Sequence, residues 1–214
     1  MKEESISIIG GADGPTSVFL AGRTGKRPWK VRIRNWIFRL RRKRIARRIR
    51  PHAHTLEETV SFMKKHYGAV EFSGESRIYR EQRECLKGSL ISRYRPKLLG
   101  ELSTIPAFSM NDEKSRKEMY DWLQKQSERA AQISDDLFPM DYHLYQIRTE
   151  GGRMEIGIDF RWNVFGISYS GDKKAMKKLK RLSRRLHIYY GVSEDDIKKN
   201  SERYSSLLTV LASD

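Results

Sequence analysis

The stretch Tyr142–Phe160, YHLYQIRTEGGRMEIGIDF, decides the fold because two runs of alternating apolar and polar residues flank a glycine pair. This alternation is typical of strands with one buried face, and Gly151-Gly152 suits the positive φ angles of a type I′ hairpin turn. A two-residue turn at these glycines predicts that Arg148 lies opposite Glu155. The predicted buried face consists of His143, Tyr145, Ile147, Met154, Ile156, Ile158 and Phe160. Glu155 and Asp159 fall on the other face, where we expect solvent.

Further elements surround this hairpin. The run VFGISYS (164–170) predicts a third strand, and AVEFS (69–73) is a short strand candidate. Capping signals and apolar spacing predict five helices, which begin near Thr55 (with a Thr55–Glu58 capping box and an end at Gly68), Ser76, Asn111, Asp172 and Ser193. Pro96 ends the second helix and Gly191 the fourth. The side chains expected to face inward from four of these helices are Leu56, Val60, Met63, Tyr67, Met119, Trp122, Leu123, Ala130, Ile133, Met176, Leu179, Leu182, Leu186, Tyr189, Ile197, Tyr204, Leu207, Leu208 and Leu211. The predicted fold is α+β, with helices on one face of a small antiparallel three-stranded sheet at about residues 140–171.

An arginine-rich block, WKVRIRNWIFRLRRKRIARRIR (29–50), precedes this body. Its apolar residues recur at helical spacing, which predicts an amphipathic helix ending near Pro51. These residues are Trp29, Ile33, Trp36, Ile37 and Leu40, and Ile45 and Ile49 continue the series one residue out of phase. The chain is therefore predicted to comprise a Gly-rich segment at 1–28, this basic helix at 29–50, and the α+β domain at 52–214.

The charge of the chain is concentrated in one place. The net charge is +16, and residues 22–50 hold 14 Lys and Arg but no Asp or Glu. These cations repel one another, so the helix alone should be marginal at low salt, and a polyanion would relieve the repulsion. A second basic surface is expected on the helix after Asp172, where an ordinary solvated face is the simpler interpretation.

Composition also limits the location of the protein. No apolar run approaches the roughly 20 residues that a bilayer-spanning helix needs, so we expect no transmembrane span. Glu3 and Glu4 stand where a secretory signal would be positive. The single cysteine, Cys85, excludes an internal disulfide and suits a reducing compartment. We expect a cytoplasmic protein, with association at a membrane surface left open.

The opening segment carries a short motif of its own. Its residues Gly10, Gly11, Ala12, Asp13, Gly14, Pro15 and Thr16 read GGADGPT, between apolar flanks. From these residues alone we expect a strand, a tight loop and a short helix starting near Pro15. The loop would serve as an anion-binding nest or partner-docking peptide, as a structural turn, or as a disordered tail.

This motif, within Ile6–Gly22, closely resembles one in the beta subunit of the sodium-translocating decarboxylases. In that family the segment lies at an interrupted membrane helix, and the resemblance implies a sodium-binding role for Asp13. The rest of the chain does not resemble the family, whose members cross the membrane several times. A single carboxylate without a bilayer cannot form a dehydrated sodium site, so we expect no pump activity.

The basic block supplies the candidate binding residues. The predicted polyanion contacts are Lys30, Arg32, Arg34, Arg39, Arg41, Arg42, Lys43, Arg44, Arg47, Arg48 and Arg50, and the predicted stacking or interfacial residues are Trp29, Trp36 and Phe38. Arginine binds phosphate while aromatic rings stack on bases, so a nucleic-acid-binding function is predicted first. Two alternatives are a peripheral protein on an anionic membrane surface and an interaction module for an acidic protein.

Catalytic patterns are weak by comparison. His52 and His54 are close in sequence, but no further ligand nearby completes a zinc set. His143 is expected to be a packed or hydrogen-bonded side chain rather than a base. Cys85 falls in a predicted helix without an activating partner. We therefore expect no catalytic site, metal or cofactor, and predict a protein that binds.

Overall fold

The computed structural model describes residues 29–72, 74–108 and 112–213, and the backbone of the strands Ser5–Ile8 and Val18–Ala21. The GGADGPT loop, with Gly10, Asp13 and Pro15, lies outside the described residues. The fold is α+β with antiparallel sheets, as predicted. The segment after the loop was expected to be a short helix, but Val18–Ala21 is a strand that pairs with Ser5–Ile8.

The described chain contains strands and helices in mixed order. The strands are β1 (Ser5–Ile8), β2 (Val18–Ala21), β3 (His52–Ala53), β4 (Val70–Glu71), β5 (Tyr142–Thr149), β6 (Gly152–Asp159), β7 (Val164–Gly171) and β8 (Gly191–Val192). The helices are α1 (Trp29–Ala46), α2 (Leu56–Tyr67), α3 (Arg77–Tyr94), α4 (Glu113–Gln132), α5 (Lys173–Tyr190), α6 (Glu194–Lys199) and α7 (Glu202–Ala212), and Pro96–Ser103 is a 3₁₀ segment.

The main sheet has four strands in the order β4-β5-β6-β7, so the prediction of three strands was wrong. The additional strand is β4, which joins at the edge beside β5, where the Phe72 amide donates to the Leu144 carbonyl at 2.7 Å. A strand of two residues is too short to show alternation, which is why its place in the sheet could not be predicted. A separate small sheet pairs β3 with β8.

The hairpin turn lies one residue earlier than predicted. Glu150 and Gly151 connect β5 to β6, and Gly151 takes φ 77°. Gly152 belongs to β6, and its backbone packs closely there: a Cβ would lie 2.8 Å from the Ala175 Cβ and from the Ser170 carbonyl. A type I′ turn needs positive φ at both positions, and Glu150 is not among the described residues that adopt it. The predicted turn was therefore wrong.

The shift also changes the hairpin's side-chain pairs. Arg148 moves out of register with Glu155 and donates instead to Gln146 Oε1 at 2.6 Å. The predicted buried positions Tyr145, Ile147, Met154, Ile156 and Ile158 are buried. Asp159 is also fully buried, contrary to prediction, because its carboxylate accepts from the Trp162 amide at 2.8 Å and the Asp141 amide at 3.1 Å. Glu155 is half-buried and accepts from Gln82 Nε2, so it too is not simply solvated.

Contacts divide the chain into two compact units. Unit 1 comprises Met1–Arg23, Glu71–Tyr145 and Glu155–Ser168. Its core packs α3 and α4 with the 3₁₀ segment around the buried side chains of Leu90, Ile91, Leu99, Ala130, Ile133 and Phe138. The Trp162 ring stacks on Phe138 at 4.6 Å and covers this core.

Unit 2 comprises Thr24–Val70, Gln146–Met154 and Tyr169–Asp214. In it α7 contacts both α1 and α5, and α2 packs against α5. Arg203 holds the β3–β8 region together by donating to the carbonyls of Gly191, His54 and Tyr190. The basic helix α1 is thus part of a packed helical group.

Local capping signals predicted the helix ends well. The Thr55–Glu58 capping box forms, Gly68 ends α2 in the left-handed region, and Asp172 caps α5. The last predicted helix is instead two, because Asn200 takes φ 48° and ends α6 before Ser201 caps α7. Met176 is exposed rather than inward, and Ala175 is buried in its stead.

Candidate functional site

Helix α1 has an inner side that packs within unit 2. Its least exposed positions, all half-buried, are Val31, Asn35, Phe38, Arg42, Ile45 and Ala46, and Ile49 just beyond the helix is half-buried too. Most of these are spaced three or four residues apart, so they form one stripe along the helix. Ile45, Ala46 and Ile49 pack against the buried cluster of Val192, Tyr204, Leu207 and Leu208. The apparent phase slip of Ile45 and Ile49 therefore arises because they belong to this inner stripe.

The opposite side of α1 carries a second apolar stripe, which is exposed. Trp29 and Trp36 are 66% and 61% exposed, and Ile33, Ile37 and Leu40 accompany them. A shallow groove of about 510 Å³ runs from this side around one flank of the helix, lined by Trp29, Arg32, Ile33, Trp36 and Arg39 and reaching Asn35 of the inner stripe. Contiguous exposed apolar side chains of this size mark an interaction surface. We call the five apolar residues the outer stripe.

Cations flank the outer stripe on both sides. At 3.6 residues per turn, Arg32, Arg39 and Lys43 project along one flank. Lys30, Arg34 and Arg41 project along the other, and all six side chains are exposed. Within the described part of the chain, no ion pair includes Lys30, Arg32, Arg34 or Arg39. The outer side of α1 is therefore an apolar band between two positive bands, with the exposed Arg44 at the C-terminal end of the apolar band.

The predicted contact residues do not share one surface: some lie on the outer side of α1, some on its inner side and some after its end. Trp29 and Trp36 lie in the outer stripe, whereas Phe38 is half-buried near Ala212 and Ser213 of the α7 end. Arg42 lies half-buried on the inner side of α1. Arg47, Arg48 and Arg50 are exposed just beyond the helix. The residues that share the outer side are thus the two tryptophans and the flanking cations.

Helix α5 presents a second positive surface in unit 2. Its exposed cations are Lys173, Lys174, Lys177, Lys178, Arg181, Arg184 and Arg185. Its opposite side buries Ala175, Leu179, Ser183, Leu186 and Tyr190. The half-buried Lys180 donates from Nζ to the Ser213 carbonyl at 2.8 Å. This helix therefore adds a basic face close to the end of α7.

The histidines and the cysteine make structural contacts. His54 stacks on Tyr189 with ring centroids 3.9 Å apart, and the described residues contain no group of side chains suited to hold a metal ion. His143 bonds through Nδ1 to Glu71 at 2.6 Å and through Nε2 to Asp141 at 3.2 Å. It is thus hydrogen-bonded, as the sequence indicates. Burial raises the pKa of Cys85, which disfavours the reactive thiolate.

None of the helices that the structure describes combines the length and hydropathy needed to cross a bilayer. No family model matches the chain, and no curated protein or solved structure matches it. A function is therefore inferred from the geometry and charge of α1.

Proposed function

We propose that the protein binds the surface of an anionic membrane, as a peripheral protein, through the outer side of α1. The observation that carries this proposal is the outer stripe: three aliphatic and two indole side chains exposed together between two rows of cations. Helices with this arrangement lie in the interface plane, with the apolar side at the boundary of headgroups and acyl chains. The inner stripe holds the helix on α7.

Each part of the surface has a distinct physical role. Trp29 and Trp36 suit the interface because an indole combines a large apolar ring with an N–H that remains near water. Insertion of Ile33, Ile37 and Leu40 removes apolar surface from water and so stabilises the bound state. The transfer free energy is at most about 1.5–3 kcal/mol for each side chain, the value for full burial. Flanking lysines and arginines attract anionic headgroups. Insertion and charge thus act together.

Nucleic acid is the partner that charge alone favours, and it was the first prediction from the sequence. The arginines would contact phosphates, and Trp29 and Trp36 would stack on bases. However, Ile33, Ile37 and Leu40 have no counterpart on a nucleic acid, so that partner would leave most of the outer stripe in water. The aliphatic part of the stripe therefore favours lipid.

Flotation with vesicles tests this proposal. Vesicles of phosphatidylglycerol and phosphatidylcholine should carry the wild-type protein, and vesicles of phosphatidylcholine alone should carry far less. Trp29→Ala with Trp36→Ala should weaken binding at least tenfold, because two interfacial side chains are lost. Tyr120→Ala is the matched control, since Tyr120 is 61% exposed on α4, and should leave binding unchanged.

A second experiment distinguishes membrane binding from nucleic-acid binding, the main alternative. The same proteins are titrated with single- and double-stranded oligonucleotides at matched ionic strength. Oligonucleotide binding without vesicle binding would make the membrane proposal wrong and support the nucleic-acid interpretation. Vesicle binding that is indifferent to the tryptophan substitutions would also contradict the proposal.

A further inference from the structure

The basic face of α5 has a regular layout. Lys173, Lys177 and Arg181 follow one another at four-residue intervals and are all exposed. Like charges at this spacing on a helix repel, which disfavours the helix in isolation. An anionic surface would relieve the repulsion. The face carries no indole side chain, and its exposed large aliphatic side chain is Ile188, so we expect its contact to be mainly electrostatic.

The end of α7 brings this face close to α1. Ala212 and Ser213 line a surface cavity of about 400 Å³ together with residues of α1 that include Lys30, Arg34 and Arg41. The carbonyl of Ser213 also accepts the hydrogen bond from Lys180 of α5. Ser213, the residue just after α7, therefore lies beside cations of α1 and also bonds to a cation of α5.

The exposed side of α7 adds no negative charge at this position. Its exposed residues in the last two turns are Ser206 and Thr209, followed by Ser213 after the helix. These side chains are small and neutral. Among the described residues, the two positive surfaces are therefore joined by neutral ones.

We infer that the basic face of α5 is a second contact with the same anionic membrane, beside the inserted helix α1. This inference rests on the proposed function and extends it: α1 supplies insertion and charge, and α5 supplies mainly charge. The partner is a bilayer rich in acidic phospholipid. A basic residue near such a surface contributes about fivefold in affinity at ordinary ionic strength.

The test compares two charge-matched triple variants of the full chain. The first is Lys173→Gln with Lys177→Gln and Arg181→Gln in α5. The control is Arg116→Gln with Lys117→Gln and Lys125→Gln, which removes the same charge from exposed positions of α4. Circular dichroism and urea unfolding first establish that both variants fold like the wild type.

The expected result is a loss of tenfold or more in affinity for phosphatidylglycerol vesicles in the α5 variant and less than twofold in the α4 variant. At saturating lipid, the α5 variant should still insert Trp29 and Trp36. Equal affinities of the two variants would overturn the inference while leaving the proposed function intact. Absence of wild-type binding, or wild-type affinity in the tryptophan variant of α1, would overturn the proposed function and this inference with it.

Discussion

Arg42 shows at the scale of one residue why the inner side of α1 was hard to predict. It lies half-buried in line with Phe38, Ile45 and Ile49. A long side chain can pack its aliphatic stem against apolar neighbours while its guanidinium reaches water. Because the inner stripe contains Asn35 and Arg42, its sequence suggests an exposed polar side. The outer stripe is wholly apolar, so its sequence suggests a buried side.

His143 provides a pH-dependent prediction at the residue scale. Partial burial lowers the pKa of His143, but hydrogen bonds to the carboxylates of Glu71 and Asp141 outweigh it and raise the pKa above its ordinary value. A raised pKa means that the folded state binds the proton more tightly. The resulting stability is fully present below the unfolded-state pKa of about 6.5 and is lost as pH rises through the folded-state value.

We therefore expect Glu71→Gln to lower the free energy of unfolding by less than about 1 kcal/mol at pH 5.5, since the pair is partly exposed. The difference from wild type should shrink by pH 9, where His143 is neutral in both proteins. Urea unfolding at several pH values measures it. A difference that grows with pH would contradict the role given to this pair.

Gly151 and Gly152 mark the limit of prediction at a turn. The pair correctly indicates a hairpin, but each glycine is required for a different structural reason. Gly151 supplies the positive φ, whereas Gly152 lets the chain pass close to Ala175 and Ser170. The second requirement arises from packing with distant residues, so the sequence pattern alone cannot place the turn.

At the scale of elements, substitutions beneath the inner stripe of α1 and within its outer stripe should have very different effects on the free energy of unfolding. Leu208→Ala removes a buried side chain from the cluster under the inner stripe and should lower the free energy of unfolding by about 2–4 kcal/mol. Ile33 and Ile37 lie in the exposed outer stripe. Ile33→Ala and Ile37→Ala should therefore each change the free energy of unfolding by less than about 0.5 kcal/mol. Urea unfolding of the three variants measures both effects.

If the isoleucine variants lost more free energy of unfolding than Leu208→Ala, the outer stripe would be a buried core face. In that case the membrane proposal would lose its main observation. The comparison is informative because all three substitutions shorten an aliphatic side chain to alanine, and only their burial differs.

Most elements were predictable because their signals are local. The hairpin strands have alternation, and α2, α5 and α6 have capping side chains at the expected positions. The features that escaped prediction depend on distant partners. β3 and β8 pair with each other, and β4, although predicted as a strand candidate, joins the main sheet beside β5. Such pairings leave no periodic trace in a two-residue strand.

At the scale of the whole molecule, the sequence locates the concentration of cations but not the direction in which it faces. The concentration of cations in 22–50 is evident from composition. Which side of α1 meets solvent is decided by its packing on α7, and this determines that indole and aliphatic side chains face outward with the flanking cations. Our proposal of lipid rather than nucleic acid as the partner depends on that orientation.

The most direct test of this central claim is the fluorescence of Trp29 and Trp36. Addition of phosphatidylglycerol vesicles should shift the tryptophan emission to shorter wavelength, and lipids brominated on their acyl chains should quench it. Trp29→Phe with Trp36→Phe should abolish both changes, although Trp122 and Trp162 remain. An emission spectrum that saturating anionic vesicles leave unchanged would contradict the account.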